Sequence, residues 1–193
     1  MYRVLFYTPR GWNILELFKM LTSINDTWED KANSVLSNFN FRYPDEIDMG
    51  YICWRYGIKL LPTEESSYSI PSEGRKGIIF VQHDLDHINK RIVIAEEFCH
   101  LYNHYSNQLG KKDYEINKDE KQAKKMAAYL LMPKQFLDHI YNAAFDQAVM
   151  ISEIADYFLV TEEFAQFRLE LIHKRKIDAI IRFGDKLGTI EWF

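Results

Sequence analysis

The chain has 193 residues, with 24 Lys plus Arg against 28 Asp plus Glu, a formal net charge of −4. Hydrophobic residues make up 47% and aromatics 15%, enough for a packed core, so disorder is excluded as the dominant state and the length fits one domain with at most a small appendage. The acidic balance argues against gripping phosphate backbones as the main role, so nucleic acid is not an expected partner.

No apolar run nears the roughly 18 residues needed to cross a bilayer, and the opening residues lack a signal peptide's longer apolar core and cleavage site. Cys53 and Cys99 make neither a disulfide framework nor a CxxC zinc pair. A soluble, cytoplasmic protein without a membrane anchor is expected.

Taken in order, Ile14, Leu15, Leu17, Phe18 and Leu21 mark an apolar helical face. A second helical stretch carries Trp28, Ala32, Val35, Leu36 and Phe39, and Asn25-Asp26-Thr27 between them forms a turn and N-cap. Tyr43-Pro44-Asp45-Glu46 opens a short helix that Gly57 closes, and a strand follows at Ile58-Lys59-Leu60-Leu61. Residues 62–75, rich in Pro and Ser, read as a loop, and Gly77–Val81 as a short apolar strand.

A polar turn, His83 to Asn89, leads to a long helix starting near Lys90. After a charged connection over Ser106–Asp119, a helix runs from Glu120 to about Leu131 and Pro133 closes it. A further helix carries Phe136, Leu137, Ile140 and Tyr141, and two short helices flank Leu159-Val160-Thr161. The tail, Ile180 to Phe183 and Ile190 to Phe193, reads as a terminal strand or hairpin. The expected class is α+β: mostly helical, with a small antiparallel sheet packed on the long helix.

That helix carries the chemistry, in Arg91-Ile-Val-Ile-Ala-Glu96-Glu97-Phe-Cys-His100-Leu-Tyr-Asn-His104. Residues four apart lie one turn above each other, so Glu96, His100 and His104 share a face. Two ligand-capable groups at i and i+4, with a carboxylate at i+1, is the arrangement of the HExxH zinc helix, here written EExxH. Glu120-Lys-Gln-Ala123-Lys-Lys-Met-Ala127-Ala-Tyr-Leu130-Leu131-Met132-Pro133 follows.

Together these blocks resemble the ImmA/IrrE family of gluzincin-like metallopeptidases. The family pattern R-x-x-x-A-H-E-x-x-H-x-x-x-H is met by Arg91, Ala95, Glu97, His100 and His104. Its E-x-x-A-x-x-F-A-x-x-L-L-M-P block is met by Glu120, Ala123, Ala127, Leu130, Leu131, Met132 and Pro133. Ser106-Asn107-Gln108 is similar to a G-N-Q that some members carry. Glu153 to Glu162, with Arg168-Leu169, resembles the C-terminal block, so the likeness covers about residues 45 to 172.

The resemblance implies a zincin-like fold, a metal held by Glu96, His100 and Glu120, and Glu97 as general base. It also implies a protein substrate, a helix-turn-helix repressor of a prophage or mobile element. On this reading residues 1–42 form an N-terminal helical extension, 43–150 the metallopeptidase core, and 151–193 a C-terminal helical subdomain and tail.

Glu96 stands where the family has a histidine. Counting only the ligands, a zinc site with two His and one Glu carries about +1, whereas two carboxylates and one His bring it near zero, which weakens polarisation of bound water. Oxygen-rich ligation also moves preference from Zn²⁺ towards harder ions such as Mn²⁺ or Mg²⁺. Three readings stay open: a working modified metal site, a decayed site kept for binding a partner without metal, and a rearranged site in which His104 joins His100.

Blander readings stand beside these. Glu96-Glu97 reads as a solvated helix start, His83 and His87 as solvated turn residues, and His139 and His173 carry no signal. Cys99 reads as a buried core thiol and Tyr51, Trp54 and Tyr56 as core packing. Residues 151–175 could be a DNA-reading helix-turn-helix, but Thr161, Glu162 and Glu163 would then set acids against phosphates.

Overall fold

The computed structural model describes residues 2–6, 26–72, 76–103, 113–145, 147–174, 176–183 and 186–192. The helix expected over Ile14–Leu21 lies outside these, as do His104 and Ser106-Asn107-Gln108.

Strand β1 (Tyr2–Phe6) precedes helix α1 (Thr27–Leu36). Asp26 caps α1, accepting from the Trp28 amide, and Ala32, Val35 and Leu36 bury one face. A 3-10 turn at Pro44–Glu46 leads to α2 (Met49–Arg55), capped by Asp48 and stopped at Gly57, whose φ of 72° meets the expected left-handed position.

Three strands follow: β2 (Ile58–Thr63), β3 (Tyr68–Pro71) and β4 (Gly77–Gln82). They form a sheet in the order β2-β4-β3, in which β2 runs parallel to β4 and β3 antiparallel to it. The segment expected to be a loop therefore holds an edge strand, stapled by Tyr68 stacked on Phe80 at 4.8 Å.

Helix α3 (His87–Asn103) starts earlier than expected, because Asp86 accepts from the Ile88 and Asn89 amides. It is buried almost all round, including Arg91, Ala95, Phe98, Cys99, His100 and Tyr102. Helix α4 (Asp113–Leu131) also begins earlier, taking in residues read as a charged connection.

Helix α5 (Lys134–Ala143) follows Pro133. Strand β5 (Val149–Met150), helices α6 (Ile151–Phe158) and α7 (Glu162–His173), and strands β6 (Ala179–Phe183) and β7 (Lys186–Trp192) complete the described chain. The C-terminal strands join a second, antiparallel sheet in the order β1-β7-β6-β5, separate from the sheet beside α3. The α+β class stands, with one mixed sheet and one antiparallel sheet. No described helix is long and apolar enough to cross a membrane.

Candidate active site

The site lies where α3 meets α4. Arg91 anchors the start of α3: its two Nη groups donate to the carbonyls of Ile47 and Pro44, the latter at 2.9 Å. Arg91, first noted as a motif residue, is thus a structural anchor. At the other end, Asn103 donates to the Cys99 carbonyl and to the Met126 Sδ of α4, both at 2.9 Å. On α4, Ala123 and Ala127 are fully buried, and such small side chains let helices approach closely.

Across this contact the His100 Nε2 lies 3.2 Å from the Glu120 Oε2. The two differ in access, the His100 side chain being 9% exposed and that of Glu120 56%. Glu96 and Glu97 sit in the middle of α3 and are half-buried, so neither is a solvated helix start.

Burial pushes the Glu96 carboxyl above its ordinary range; Lys124 and His100 offset this, while Glu97 and Glu120 add to it. Glu97 is also pushed up, mainly by burial and further by Glu120. A side-chain hydrogen bond from Ser69 and the nearby His100 pull the other way.

Glu96, Glu97, His100 and Glu120 therefore share one electrostatic neighbourhood. Within it His100 and Glu120 are in direct contact. Among the described residues, no three His, Cys, Asp or Glu side chains converge as a metal-binding group. The donor set still has the chemistry of a divalent-cation site: one buried imidazole on a carboxylate, with two further carboxyls that burial and mutual repulsion keep short of full compensation.

Cys99 is fully buried, and burial, with Glu96 and Cys53 nearby, pushes its thiol well above the usual range; Cys53 is pushed up to about 12. Both are inert core thiols. His83 and His87 are exposed, His83 Nδ1 lying 3.3 Å from Glu64. Of the aromatic run read as core, Tyr56 packs on Phe98 and Tyr102, but Tyr51 and Trp54 are exposed. Burying one flank of a short helix leaves the other open, and periodicity does not say which side is covered.

Ser69 and Lys124 were missed. Ser69 lies half-buried between exposed Tyr68 and Ile70, the reverse of the apolar-inward strand pattern, so no local signal marks it in the sequence. Lys124 stands one helical turn after Glu120, the spacing of a paired side chain.

The family profile of the IrrE N-terminal-like domain, peptidase M78, matches residues 53–170. The chain belongs to the ImmA/IrrE family. That family is generally zinc-dependent. Comparison with curated proteins returns no significant match. A solved structure of a Mycobacterium tuberculosis transcriptional regulator is similar, with a TM-score of 0.56 and 14% identity, over 81% of this chain and 51% of that one. This ImmA/IrrE member thus spans about half the length of that protein, and at such identity the likeness establishes a shared fold.

Proposed function

We propose that the chain is a metal-dependent endopeptidase, or a regulator derived from one, that acts on a protein partner at the α3–α4 contact. The observation that carries this reading is the His100–Glu120 pair at 3.2 Å, made by the two motif blocks from separate helices, with Glu97 in the same neighbourhood. His100 and Glu120 would hold a divalent cation, with Glu96 as third donor. Zn²⁺ is the family's usual ion, and Mn²⁺ suits the oxygen-rich set. When bound, the metal supplies Lewis-acid polarisation of a peptide carbonyl and of water.

The chain's own residues supply the rest. Glu97, half-buried and hydrogen-bonded by Ser69, would take a proton from an attacking water and return it to the leaving amine. Edge strand β3 brings Ser69 to that carboxylate and leaves its outer edge for an extended substrate backbone, with Tyr68 and Ile70 exposed along it. The expected substrate is a helix-turn-helix repressor, and the expected setting cytoplasmic.

A second reading is favoured by one specific feature: Glu96 stands where the family has a histidine, and among the described residues no three His, Cys, Asp or Glu side chains form a metal-binding group. On that reading the groove binds a partner without cutting it. DNA reading by α7 gains no support, since Thr161 caps the helix and Glu162 and Glu163 fill its exposed first turn.

Elemental analysis of protein purified without chelator separates these readings, combined with incubation with a repressor encoded beside it. Stoichiometric metal, and cleavage abolished by Glu97→Gln, supports the peptidase. Absence of metal with intact repressor binding supports the silent module. Neither metal nor binding overturns both.

A further inference from the structure

Away from the α3–α4 contact, a cavity of about 290 Å³ opens between the start of α3 and the turn that leads into α2. Asp45 and Asp48 line it from that turn, and His87, Lys90 and Arg91 line it from α3. Met49, Ile94 and Leu159 supply an apolar part of the wall.

These charges share one cavity without pairing across it. Among the described residues, Asp45 and Asp48 form no ion pair, and the Lys90 ammonium and His87 ring have no hydrogen-bond partner. Asp48 spends Oδ1 on the Tyr51 amide, which leaves Oδ2 open. The Arg91 Nη groups hold the Ile47 and Pro44 carbonyls, but its Nε is buried with no acceptor, in a side chain only 8% exposed. A buried donor left unmet is costly. Local preference is also set aside on both sides. Cations are disfavoured at a helix start, yet α3 sets Lys90 and Arg91 there. Gly50 occupies the first turn of α2, where alanine suits a helix better. A Cβ at Gly50 would come within 3.1 Å of Asp48 Oδ1, so glycine keeps that carboxylate clear.

We propose that this cavity binds a free α-amino acid with an aliphatic side chain. Its wall sets two carboxylates against an ammonium and a guanidinium, so neither sign dominates. A metal cation would be repelled by Lys90 and Arg91, and a phosphate by Asp45 and Asp48. A zwitterion satisfies both sides at once. Its α-ammonium meets Asp45 and the open Oδ2 of Asp48, while its α-carboxylate meets Lys90 and offers the Arg91 Nε an acceptor. The side chain then lies against Met49, Ile94 and Leu159. The volume falls just below the usual range for drug-sized ligands, as suits a molecule this small. Nothing in this site uses the metal or the chemistry proposed at His100.

Isothermal titration of the full chain with L-leucine, in EDTA, tests this. Isocaproate, which lacks the ammonium, and isoamylamine, which lacks the carboxylate, are titrated beside it. One-to-one binding of leucine is expected, with glycine and each single-charge analogue weaker by about tenfold or more. Asp48→Asn keeps the helix cap and Lys90→Met keeps the side-chain stem, and each should weaken leucine about tenfold. Lys90→Arg should retain most of the affinity. Thermal unfolding of the free variants should match the parent; where one does not, the analogue comparison on the parent decides. Absence of binding by leucine and the other aliphatic amino acids overturns the proposal. So does isocaproate or isoamylamine binding as tightly as leucine, or an affinity unchanged in both folded variants.

Discussion

Asp26 illustrates how much one polar side chain can join. It caps α1, accepts from the Tyr129 hydroxyl at 2.7 Å and pairs with the Lys125 ammonium at 2.5 Å, both on α4. Burial works against its charge. The bonds from Lys125, Tyr129 and the Trp28 amide outweigh that and hold its carboxyl below the ordinary carboxylate range. The folded state therefore binds fewer protons than the unfolded chain between the two pKa values. Its stabilising contribution is complete above about pH 4 and is lost as pH falls through the lowered value. Urea midpoints measured from about pH 6 down to pH 3 should show a shallower acid decline in Asp26→Asn than in the parent.

Arg168 makes a different kind of tie. Its side chain is 1% exposed, its Nε donates to the Met132 carbonyl at 2.9 Å, its guanidinium lies 4.5 Å above the Tyr129 ring, and Glu29 is 3.8 Å from Nη2. Arg168→Ala leaves both a void and an unmet carbonyl and should cost about 3 kcal/mol. Arg168→Met keeps the stem's packing and removes a desolvated charge, so its cost should be about 1 kcal/mol. Equal losses for the two in chemical denaturation would mean that the polar tie, rather than the volume, dominates.

Among the elements, β3 shows best what the amino-acid order conceals. It lies between prolines, at a sheet edge, and its inward residues are Ser and Pro, so it lacks the apolar alternation that marks a half-buried strand. Its position depends on Gly77 of β4. A Cβ there would stand 2.5 Å from the Ile70 carbonyl oxygen and 3.0 Å from the Leu101 methyls. Gly77→Ala must push β3 or α3 aside and should destabilise the fold by about 1–3 kcal/mol. Because β3 carries Ser69, the same change should disturb Glu97, read as altered amide exchange in both β3 and the middle of α3.

Helix α1 lies before the residues matched by the family profile, yet Lys31 donates to Asn103 at 2.9 Å, and Asn103 in turn touches α4. Helix α1 thus braces the end of the helix that bears His100.

For the molecule as a whole, helices and their caps were the legible part. Asp26 and Gly57, in their capping roles, and the spacing within each motif block act through neighbours a few residues away, which a linear reading captures. Pairings between distant segments were not. Strand β1 pairs with β7, Tyr2 opposite Trp192, and nothing local in either segment names so remote a partner. The parallel pairing of β2 with β4 was hidden for a similar reason, since β3 intervenes between them in sequence. Within the candidate site, spacing brought Glu96, Glu97 and His100 onto one helix, while the groups that offset their charge, Lys124 and Ser69, come from other elements.

The unequal access of His100 and Glu120 separates arrival from residence. If the pair holds a cation as proposed, an ion coming from solvent would encounter the exposed carboxylate first and reach the imidazole only after shedding water, so the two residues would govern different rate constants. In stopped-flow mixing with Co²⁺, Glu120→Gln should chiefly slow association, and more so at low ionic strength. His100→Gln should leave association nearly unchanged and hasten release. On that proposed reading Glu120 would be the port of entry and His100 the lock.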